Sequence, residues 1–375
     1  MSDSLFQFCP QPPDYALDWE AIADEFSFVR AMSDCPQDAI HHAEGDVFIH
    51  TEMVLKELTK IERWRALSKE EREIVFASCL LHDVAKPVCT KHEDDGRITS
   101  RGHSKRGAIM ARNLLWQMNV PFEKREQIVN LIRFHQMPFF LINKPHSQKM
   151  LFETSMTARC DLLSLVTESD ARGRICEDKQ KLLDNISLFT EYAKEQDCFN
   201  RPKEFANAHS RFLYFRKEDR DPDYEAYDDT VCEAILMSGL PGAGKDTFVA
   251  KHFPHLPVIS LDEIRHELKI SPTDNQGAVI ALAKERAKEF LRQKKSFVWN
   301  ATNISKQMRE LSINLFANYN ARIRIVYIET TEEKLFQQNR ERNNSVPANV
   351  IRAMLEKWEV PDLTEAHKVE YHLSD

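Results

Sequence analysis

Glycine is scarce in this sequence, with nine residues in a chain of 375. Because glycine is used where the backbone turns sharply or approaches a ligand closely, its few positions mark candidate sites. Three glycines fall within one short segment, at Gly239, Gly242 and Gly244. Four more lie near histidines and aspartates, at Gly45, Gly102, Gly107 and Gly173. The distribution predicts two sites in one chain.

Disulfide-like cysteine spacing and long apolar runs are also missing. The eight cysteines form no C-x-x-C pair, which is typical of a reduced cytosolic protein. No segment approaches the roughly 18 apolar residues of a membrane span, and no basic-then-apolar leader opens the sequence. We therefore expect a soluble, unprocessed, cytoplasmic protein with no membrane partner.

A net positive charge is absent as well, since 51 Lys and Arg stand against 59 Asp and Glu, for a net charge of −8. This balance excludes an overall attraction for nucleic acid, so a polynucleotide partner would need a local basic groove. Candidate cations flank the middle of the chain, at Arg201, Lys203, Arg211, Arg216, Lys217 and Arg220. A solvated helix surface explains these residues about equally well.

The hydrophobic pattern changes once along the chain. From about residue 16 to 215, apolar residues recur at helical spacing. After residue 230, short β-branched runs alternate with helix-like segments, which is typical of a parallel sheet covered by helices. Residues 216–230 are rich in charge and predict a linker. We predict an all-α domain with its linker over 1–224 and an α/β domain over 225–375.

The second domain opens with a candidate phosphate-binding loop, "GLPGAGKDT", between a predicted strand and a predicted helix. Gly239, Gly244 and Lys245 fit the G-x-x-x-x-G-K pattern, in which backbone N–H groups cradle phosphates and the Lys reaches the β- and γ-phosphates. The cofactor-binding residues predicted here are Gly239, Gly242, Gly244, Lys245, Asp246 and Thr247. Asp246 occupies the position where a hydroxyl normally binds Mg²⁺, and its carboxylate could hold that ion directly or through water.

The residues that would bind the phosphoryl acceptor are predicted at the ends of the following strands. "PVISLDEIRHEL" puts Asp262 at the carboxyl end of a strand, where parallel sheets bind ligands, with Arg265 on the same helix face. Asp262 could accept a proton from an acceptor hydroxyl, or it could simply cap the helix. Arg340 and Arg342 follow a later strand and suit a helical lid over the phosphates.

These motifs, with "NATN" at 300–303, resemble the polynucleotide 5′-hydroxyl kinases. The resemblance covers roughly residues 230–375 and implies ATP, or another nucleoside triphosphate, with Mg²⁺. It implies that Lys245 binds the ATP phosphates, Asp262 is the general base and Arg265 aligns the acceptor. Arg340 or Arg342 would stabilise the transition state.

The first domain carries histidines and aspartates at the predicted ends of several helices. His82 and Asp83 are adjacent in "LLHDVAKP", and both could reach one metal only at a helix end. Further candidate metal ligands occur on other predicted helices, at His50, His103, His135 and Asp170. Most of the 14 histidines are better explained as surface or core residues. His42, Glu44 and Asp46 could orient the ligands.

This order of residues resembles the HD phosphohydrolases, which are all-helical metal enzymes. The resemblance implies two divalent transition-metal ions, one held by His50, His82, Asp83 and Asp170. Asp83, His103 and His135 would hold the second ion, with Asp83 bridging the two. Lys86 and Arg172 or Arg174 are the cations available for a substrate phosphate.

The whole chain resembles bacterial end-healing proteins in which an HD domain precedes a polynucleotide kinase. That resemblance implies a bifunctional enzyme that removes 2′,3′-cyclic and 2′- or 3′-phosphates and phosphorylates 5′-OH ends. Its partners would be RNA ends, with DNA 5′-OH ends as a further acceptor, and an RNA ligase acting afterwards. The main alternative is a small-molecule or nucleoside kinase joined to a nucleotidase. A regulator that only senses nucleotide and metal is disfavoured by the catalytic groups in both halves.

Overall fold

The computed structural model describes residues 5–271, 274–342 and 345–374. The chain forms two compact units, Met1–Glu204 and Phe205–Asp375. The second unit thus begins before residue 225, where the sequence analysis placed the boundary. The reason is packing, because Phe212 is buried in the core of the second unit.

The segment predicted as a linker also belongs to the second unit. Ala226 is buried and donates its N–H to Ser210 Oγ at 2.9 Å. Asp228 forms an ion pair with Arg322 at 2.6 Å. These contacts hold a segment of high charge against the folded unit, which its composition alone did not indicate.

The first unit is helical, as predicted. Its α-helices are α1 (Trp19–Glu25), α2 (Ser27–Arg30), α3 (Val47–Leu58), α4 (Glu62–Arg65), α5 (Lys69–Leu81), α6 (Lys86–Cys89), α7 (His103–Gln117), α8 (Phe122–Phe134), α9 (Met137–Phe140), α10 (Ser147–Ser155), α11 (Cys160–Gly173) and α12 (Lys179–Glu195). Two 3₁₀ turns cover Phe6–Phe8 and Leu141–Asn143. A short antiparallel ribbon, β1 (Lys91–His92) with β2 (Ile98–Thr99), was not predicted. With two residues per strand, the ribbon is too short to produce an alternating pattern.

Helix α11 lies at the centre of this unit, packed against α3, α5 and α8. Its last residue, Gly173, faces the backbone of Val54 on α3. A Cβ at Gly173 would lie 2.8 Å from the Val54 nitrogen, so only glycine allows this approach. The close packing of α11 on α3 brings the predicted ligands of the two helices together.

The second unit contains a five-stranded sheet in which all pairings are parallel. Its strands are β3 (Cys232–Ser238), β4 (Val258–Ser260), β5 (Phe297–Asn300), β6 (Ala321–Thr330) and β7 (Lys368–Ser374), in the order β4-β5-β3-β6-β7. Its helices are α13 (Ala208–Arg216), α14 (Lys245–His252), α15 (Leu261–Leu268), α16 (Gly277–Arg292), α17 (Lys306–Ala317), α18 (Glu332–Glu341) and α19 (Ala348–Leu355). No helix within the described residues is both long and apolar enough to span a bilayer.

Strand β7 was missed in the sequence. It is an edge strand with no fully buried residue among the seven, so it lacks the apolar run that marked the other strands. Strand β3 is central and its last five residues are buried. Because β4, β5 and β3 are neighbours and parallel, the segments that follow them meet at one edge of the sheet.

Candidate functional site

Three histidines of the first unit are fixed in the same tautomer by backbone carbonyls. His82 and His135 directly follow α5 and α8, and His103 begins α7. Their Nδ1 atoms lie 2.7–2.8 Å from carbonyl oxygens three residues earlier, those of Cys79, Ile132 and Ser100. Because a carbonyl only accepts, each Nδ1 carries the proton and each Nε2 offers a lone pair. This is the form in which histidine binds a metal.

The carboxylate of Asp83 lies between these rings. Its Oδ2 is 3.2 Å from His82 Nε2 and 3.9 Å from His50 Nε2. Its Oδ1 faces the other way and is 3.3 Å from His103 Nε2. The adjacent His82 and Asp83 can converge because α5 ends at Leu81. One carboxylate therefore contacts two groups of histidines with different oxygens.

The donor atoms form two overlapping, buried groups of potential metal ligands. His50, His82 and Asp83 make one group and Asp83, His103 and His135 the other, with ligand atoms within 4.8 Å of one another in each. His50 Nε2, His82 Nε2 and Asp83 Oδ1 are buried without a hydrogen-bond partner in the described structure. Such atoms are costly to bury unless something else satisfies them.

The close approach of two imidazole nitrogens in the cluster also fits a bound cation. His103 Nε2 and His135 Nε2 are 3.3 Å apart, and the carbonyls on their Nδ1 atoms leave a lone pair on each. Two facing lone pairs repel unless a positive ion lies beside them. Burial lowers the pKa of His135 to about 3, so this ring is neutral. Imidazole and carboxylate together suit a divalent transition metal.

Asp170 lies beside the first group, with Oδ1 3.2 Å from His50 Nε2. It is also bound by Arg174, whose Nε and Nη2 donate at 2.9 and 2.8 Å. Burial opposes ionisation, but the Arg174 charge and His50 hold the pKa of Asp170 well below its usual range. Arg174, suggested above for substrate phosphate, is thus engaged with Asp170, and Arg172 binds Glu168 at 2.7 Å.

Glu44 orients His50 by contacting Nδ1, the ring nitrogen that does not face the other ligands. Its Oε1 lies 2.8 Å from the Nδ1 atoms of both His50 and His42, and its Oε2 accepts from Ile175 N at 2.7 Å. This arrangement directs His50 Nε2 towards the cluster. Asp46, by contrast, caps α3 through Ile49 N and accepts from Asp34 N at 3.0 Å, so it holds backbone groups in place. The sequence suggested both residues, and only the structure distinguishes them.

Lys86 contacts the metal-ligand cluster directly. Its Nζ lies 2.8 Å from Asp83 Oδ2 and donates to Gln37 Oε1 at 2.6 Å. Burial works against the charge on Asp83, but His82 and Lys86 hold the pKa of Asp83 well below its usual range. Gln37 was not identified from the sequence. It belongs to no motif there, and only folding brings it to Lys86.

In the second unit, the loop after β3 has the backbone of a phosphate cradle. Gly239, Gly242 and Gly244 all have positive φ, at 150°, 85° and 97°. A Cβ at Gly239 would lie 2.4 Å from the Ile328 carbonyl oxygen, so the loop requires glycine there. Lys245 Nζ donates to the carbonyls of Gly239 and Leu240 at 2.8 and 2.9 Å. Burial lowers the pKa of Lys245 to about 8.

Asp246 links the phosphate loop to two other segments. Asn300, at the end of β5, donates to Asp246 Oδ1 at 2.7 Å. Arg342, directly after α18, lies 3.6 Å from Asp246 Oδ2. The carboxylate thus holds one of the two predicted lid arginines next to the loop. Arg340 and Thr247 are both exposed, on α18 and α14.

Asp262 stands at the same edge of the sheet, two residues after β4. Its side chain is 70% exposed and pairs with Arg265, which also donates to Gln276 Oε1 at 2.7 Å. The helix cap is Ser260, which accepts from Glu263 N. Capping therefore does not account for Asp262, and its exposed carboxylate can meet an acceptor hydroxyl.

Two segments of the chain match known family models, and each segment includes one of the two candidate sites. Residues 47–170 match the family model described as an HD domain. Residues 235–361 match the model described as an AAA domain. The chain contains an HD domain and a P-loop kinase-like domain. The fold class predicted from the sequence, a helical HD domain followed by an α/β P-loop domain with a parallel sheet, is confirmed.

Similar proteins each match less than two fifths of the chain. The L-seryl-tRNA(Sec) kinase of Methanococcus maripaludis is 24% identical over 157 residues, which are 37% of this chain and 61% of that protein. The match thus spans less than two thirds of this curated relative. A sugar kinase structure from Janibacter sp. HTCC2649 is 14% identical and covers 38% of this chain and 85% of its own, with a TM-score of 0.30. A gluconokinase structure from Sinorhizobium meliloti 1021 is 18% identical, covers 38% and 83%, and has a TM-score of 0.28.

The position of Glu44 in the HD domain leads to a prediction about metal affinity. Glu44→Gln should weaken divalent-metal binding by about 10- to 100-fold, because a neutral amide holds the Nδ1 proton of His50 less strongly. Binding is measured by titrating Mn²⁺ into the metal-free protein and following bound metal after rapid gel filtration. Asp46→Asn is the matched control, since Asp46 caps α3 and contacts no histidine of the cluster in the described structure. Equal metal affinity in both variants would contradict the role of Glu44.

A second prediction concerns Asp246 in the P-loop kinase-like domain. Asp246→Ser should keep kinase turnover at saturating Mg²⁺, because serine supplies the hydroxyl that ordinarily binds the ion at this position. Asp246→Ala should need more Mg²⁺ for the same turnover. The measurement is the initial rate of phosphoryl transfer over a Mg²⁺ titration. An inactive Ser variant would mean that the carboxylate is needed for Arg342 or Asn300 instead.

Proposed function

We propose that the protein is a bifunctional RNA end-healing enzyme. The HD domain hydrolyses 2′,3′-cyclic phosphates and removes 2′- or 3′-phosphates. The P-loop domain transfers the γ-phosphate of ATP, or another nucleoside triphosphate, to a 5′-OH. The observation that carries the proposal is that one chain holds a buried His/Asp cluster with unsatisfied Nε2 atoms and a phosphate loop beside an exposed strand-end carboxylate.

In the HD domain, His50, His82, Asp83 and Asp170 would hold one divalent ion. Asp83, His103 and His135 would hold a second ion. A pair of such ions supplies a water of lowered pKa and positive charge for the phosphate oxygens. The protein's own part is to fix the imidazole tautomers through Cys79, Ser100 and Ile132. Lys86 Nζ lies 2.8 Å from Asp83 Oδ2, so it would add a protein cation beside the metal ligands for a substrate phosphate.

In the P-loop domain, the loop glycines expose backbone N–H groups to the phosphates. Lys245 would leave the carbonyls of Gly239 and Leu240 to bind the β- and γ-phosphates, because phosphate is a stronger acceptor than a neutral carbonyl. Asp262 would take the proton of the acceptor hydroxyl, with Arg265 aligning the acceptor. Arg342 or Arg340 would neutralise charge that develops during transfer. Mg²⁺ would be bound near Asp246.

The choice of RNA as acceptor has one independent support. The Methanococcus maripaludis relative is named for a tRNA-linked substrate. A kinase domain similar to one that acts on a charged tRNA can accommodate an acceptor carried by RNA. Joining a 3′-end phosphatase to a 5′-end kinase also has a chemical logic, because ligation requires a 3′-OH and a 5′-phosphate. An RNA ligase is therefore the enzyme that we expect to act on the product.

The alternative is a small-molecule or nucleoside kinase fused to a nucleotidase. The net charge of −8 is compatible with it, since no global attraction for a polyanion exists. The two proposed functions differ in the molecule whose hydroxyl accepts the phosphoryl group. An RNA kinase must phosphorylate the 5′-OH of an oligonucleotide faster than the same hydroxyl of a free nucleoside.

End-group analysis tests the proposal. A short RNA with a 2′,3′-cyclic phosphate and a 5′-OH is incubated with the protein, ATP and either Mn²⁺ or Mg²⁺, and both ends are then identified by mass spectrometry. We expect an end with free 2′-OH and 3′-OH groups together with a 5′-phosphate. A DNA oligonucleotide with a 5′-OH measures the RNA preference. Phosphorylation and dephosphorylation of free nucleosides and nucleotides, with unchanged RNA ends, would instead support the alternative.

A further inference from the structure

A cavity of about 510 Å³ lies at the amino ends of the sheet strands, whereas the phosphate loop follows the carboxyl end of β3. Thr230, just before β3, and Asn320 and Ala321, at the start of β6, form part of its lining. The phosphate loop follows the other end of β3, and seven strand residues separate the two ends by about 20 Å. The volume is within the roughly 300–1,000 Å³ of small-ligand pockets. This cavity is therefore separate from the predicted kinase site.

Two histidines that line the cavity, His209 and His367, belong to a chain of hydrogen bonds whose direction is fixed. Ile323 N donates to His367 Nδ1 at 2.9 Å, so the proton of that ring is on Nε2. His367 Nε2 then donates to His209 Nδ1 at 3.0 Å, which leaves the His209 proton on Nε2, 3.6 Å from Asp229 Oδ1. Burial lowers the pKa of His367 to about 3, so this ring is neutral. The facing ring nitrogens of His209 and His367 are therefore committed to each other.

The wall of the cavity is cationic although the whole protein is acidic. Arg216, Lys217 and Arg220 line it, and Asp229 is the single carboxylate among the described lining residues. Asp229 already accepts from Asn320 Nδ2 at 3.2 Å. The lining thus offers more positive than negative charge to a ligand.

Among the lining residues, Arg216 most strongly indicates that the cavity binds an anionic ligand. Its guanidinium packs over Phe212 and, within the part of the chain that the structure describes, makes one side-chain hydrogen bond, to Asn314 Oδ1 at 2.7 Å. No carboxylate of the described residues lies within ion-pair distance of it. Burial lowers its pKa, and the more distant Glu310 charge offsets only part of this effect. A guanidinium has five N–H donors, so most of its donors remain for a ligand. A partly desolvated arginine without an acid partner is a site where a phosphate would bind well.

Two tyrosines at the rim add a different kind of contact. Tyr224 is 55% exposed and Tyr227 is 86% exposed, and Arg220 lies 5.4 Å from the centre of the Tyr224 ring. A ring as exposed as Tyr227 contributes little to the core. Exposed aromatic rings next to cations are typical of surfaces on which nucleobases stack while phosphates contact the cations.

We propose that this cavity binds a nucleotide, with its phosphate against Arg216 and Arg220 and its base against Tyr227. The nucleotide comes either from single-stranded RNA or from a free nucleoside monophosphate, which share this chemistry. The proposal goes beyond the end-healing function, because it assigns a second nucleotide site away from both reaction sites. If the RNA proposal is also correct, the cavity would hold a part of the strand distant from the reacting 5′-OH.

The test uses the full chain carrying His82→Ala and Lys245→Ala, so that the two predicted reaction sites compete less for the probes. Fluorescence anisotropy of a labelled single-stranded RNA with 5′-phosphate and 3′-OH ends reports binding, and AMP serves as competitor. Tyr227→Ala and Arg220→Gln are each expected to weaken RNA binding by on the order of tenfold. Tyr227→Phe should retain it, because the ring still stacks. Lys357→Gln, an exposed lysine outside the cavity lining, is the control for loss of one charge.

The outcomes are distinct. Competition by AMP that is lost in Tyr227→Ala identifies a free-nucleotide site, whereas RNA binding without AMP competition identifies a strand-binding site. Equal affinity of Tyr227→Ala, Arg220→Gln and Lys357→Gln for both probes would overturn the proposal. Equal weakening in Tyr227→Phe and Tyr227→Ala would overturn the stacking role. AMP binding at this cavity in a protein that leaves RNA ends unchanged would reject end healing and leave the cavity proposal standing.

Discussion

His82→Ala is expected to eliminate metal-dependent release of phosphate from RNA ends while phosphorylation of a 5′-OH continues. His82 Nε2 is buried without a hydrogen-bond partner and lies 3.2 Å from the central Asp83, so its loss removes a ligand atom that nothing nearby replaces. Asp83→Asn should have the same effect, because the carboxylate contacts both histidine groups. For each variant we expect the hydrolysis rate to decrease by roughly 10³-fold, which corresponds to a loss of about 4 kcal/mol of transition-state stabilisation.

The measurement follows both activities and the bound metal in the same preparation. Phosphate release is assayed with a 3′-phosphorylated RNA and Mn²⁺, and kinase activity is assayed with γ-labelled ATP and a 5′-OH RNA. His92→Ala is the matched control, because His92 is an exposed histidine of the same unit. A parallel decrease in both activities with unchanged helicity would contradict the division into two sites. Full metal binding and hydrolysis in Asp83→Asn would reject the metal centre itself.

Asp262→Asn is expected to lower kinase turnover by on the order of 10² to 10⁴, the usual contribution of a general base. The amide keeps the shape of the side chain and removes the ability to take a proton. Asp262 is exposed at the carboxyl end of β4, and Ser260 rather than Asp262 caps α15, so the helix should be unaffected. The effect should be on kcat, measured over a range of 5′-OH RNA concentrations, with phosphate release by the HD domain unchanged.

Glu263→Gln provides the control for this experiment. Glu263 is the next residue, is exposed on the same turn of α15, and contributes its backbone N–H rather than its side chain to the cap. Normal turnover in Asp262→Asn would exclude Asp262 as the base. An increase in KM for RNA with unchanged kcat would instead indicate a role in acceptor binding, shared with Arg265.

The predicted site residues of the two units depend on different features of the sequence. In the HD domain, the six predicted ligands came from residue type and position at helix ends, and the structure brings their donor atoms into one buried cluster around Asp83, with Asp170 beside His50. In the P-loop domain, the spacing of Gly239, Gly244 and Lys245 predicted the cradle because the loop is local in sequence.

Long-range partners could not be predicted. Nothing near Gln37 in the sequence indicates Lys86 as its partner, and nothing near Asp246 indicates Arg342. The domain boundary moved for a similar reason, since Phe212 is apolar and helical whichever unit it packs against. The edge strand β7 lacked an apolar run because it is only partly buried.

By itself, the sequence determined the order of the two domains, the phosphate loop and the identity of the candidate ligands, because these depend on residue type and on spacing of a few positions. The tertiary structure decided which ring nitrogen each histidine presents, which acid orients His50 and which cations line a second cavity. Those features depend on contacts between segments far apart in the chain, such as Glu44 with Ile175 and His209 with His367. Local spacing carries no information about such contacts, since they form only when separate elements pack.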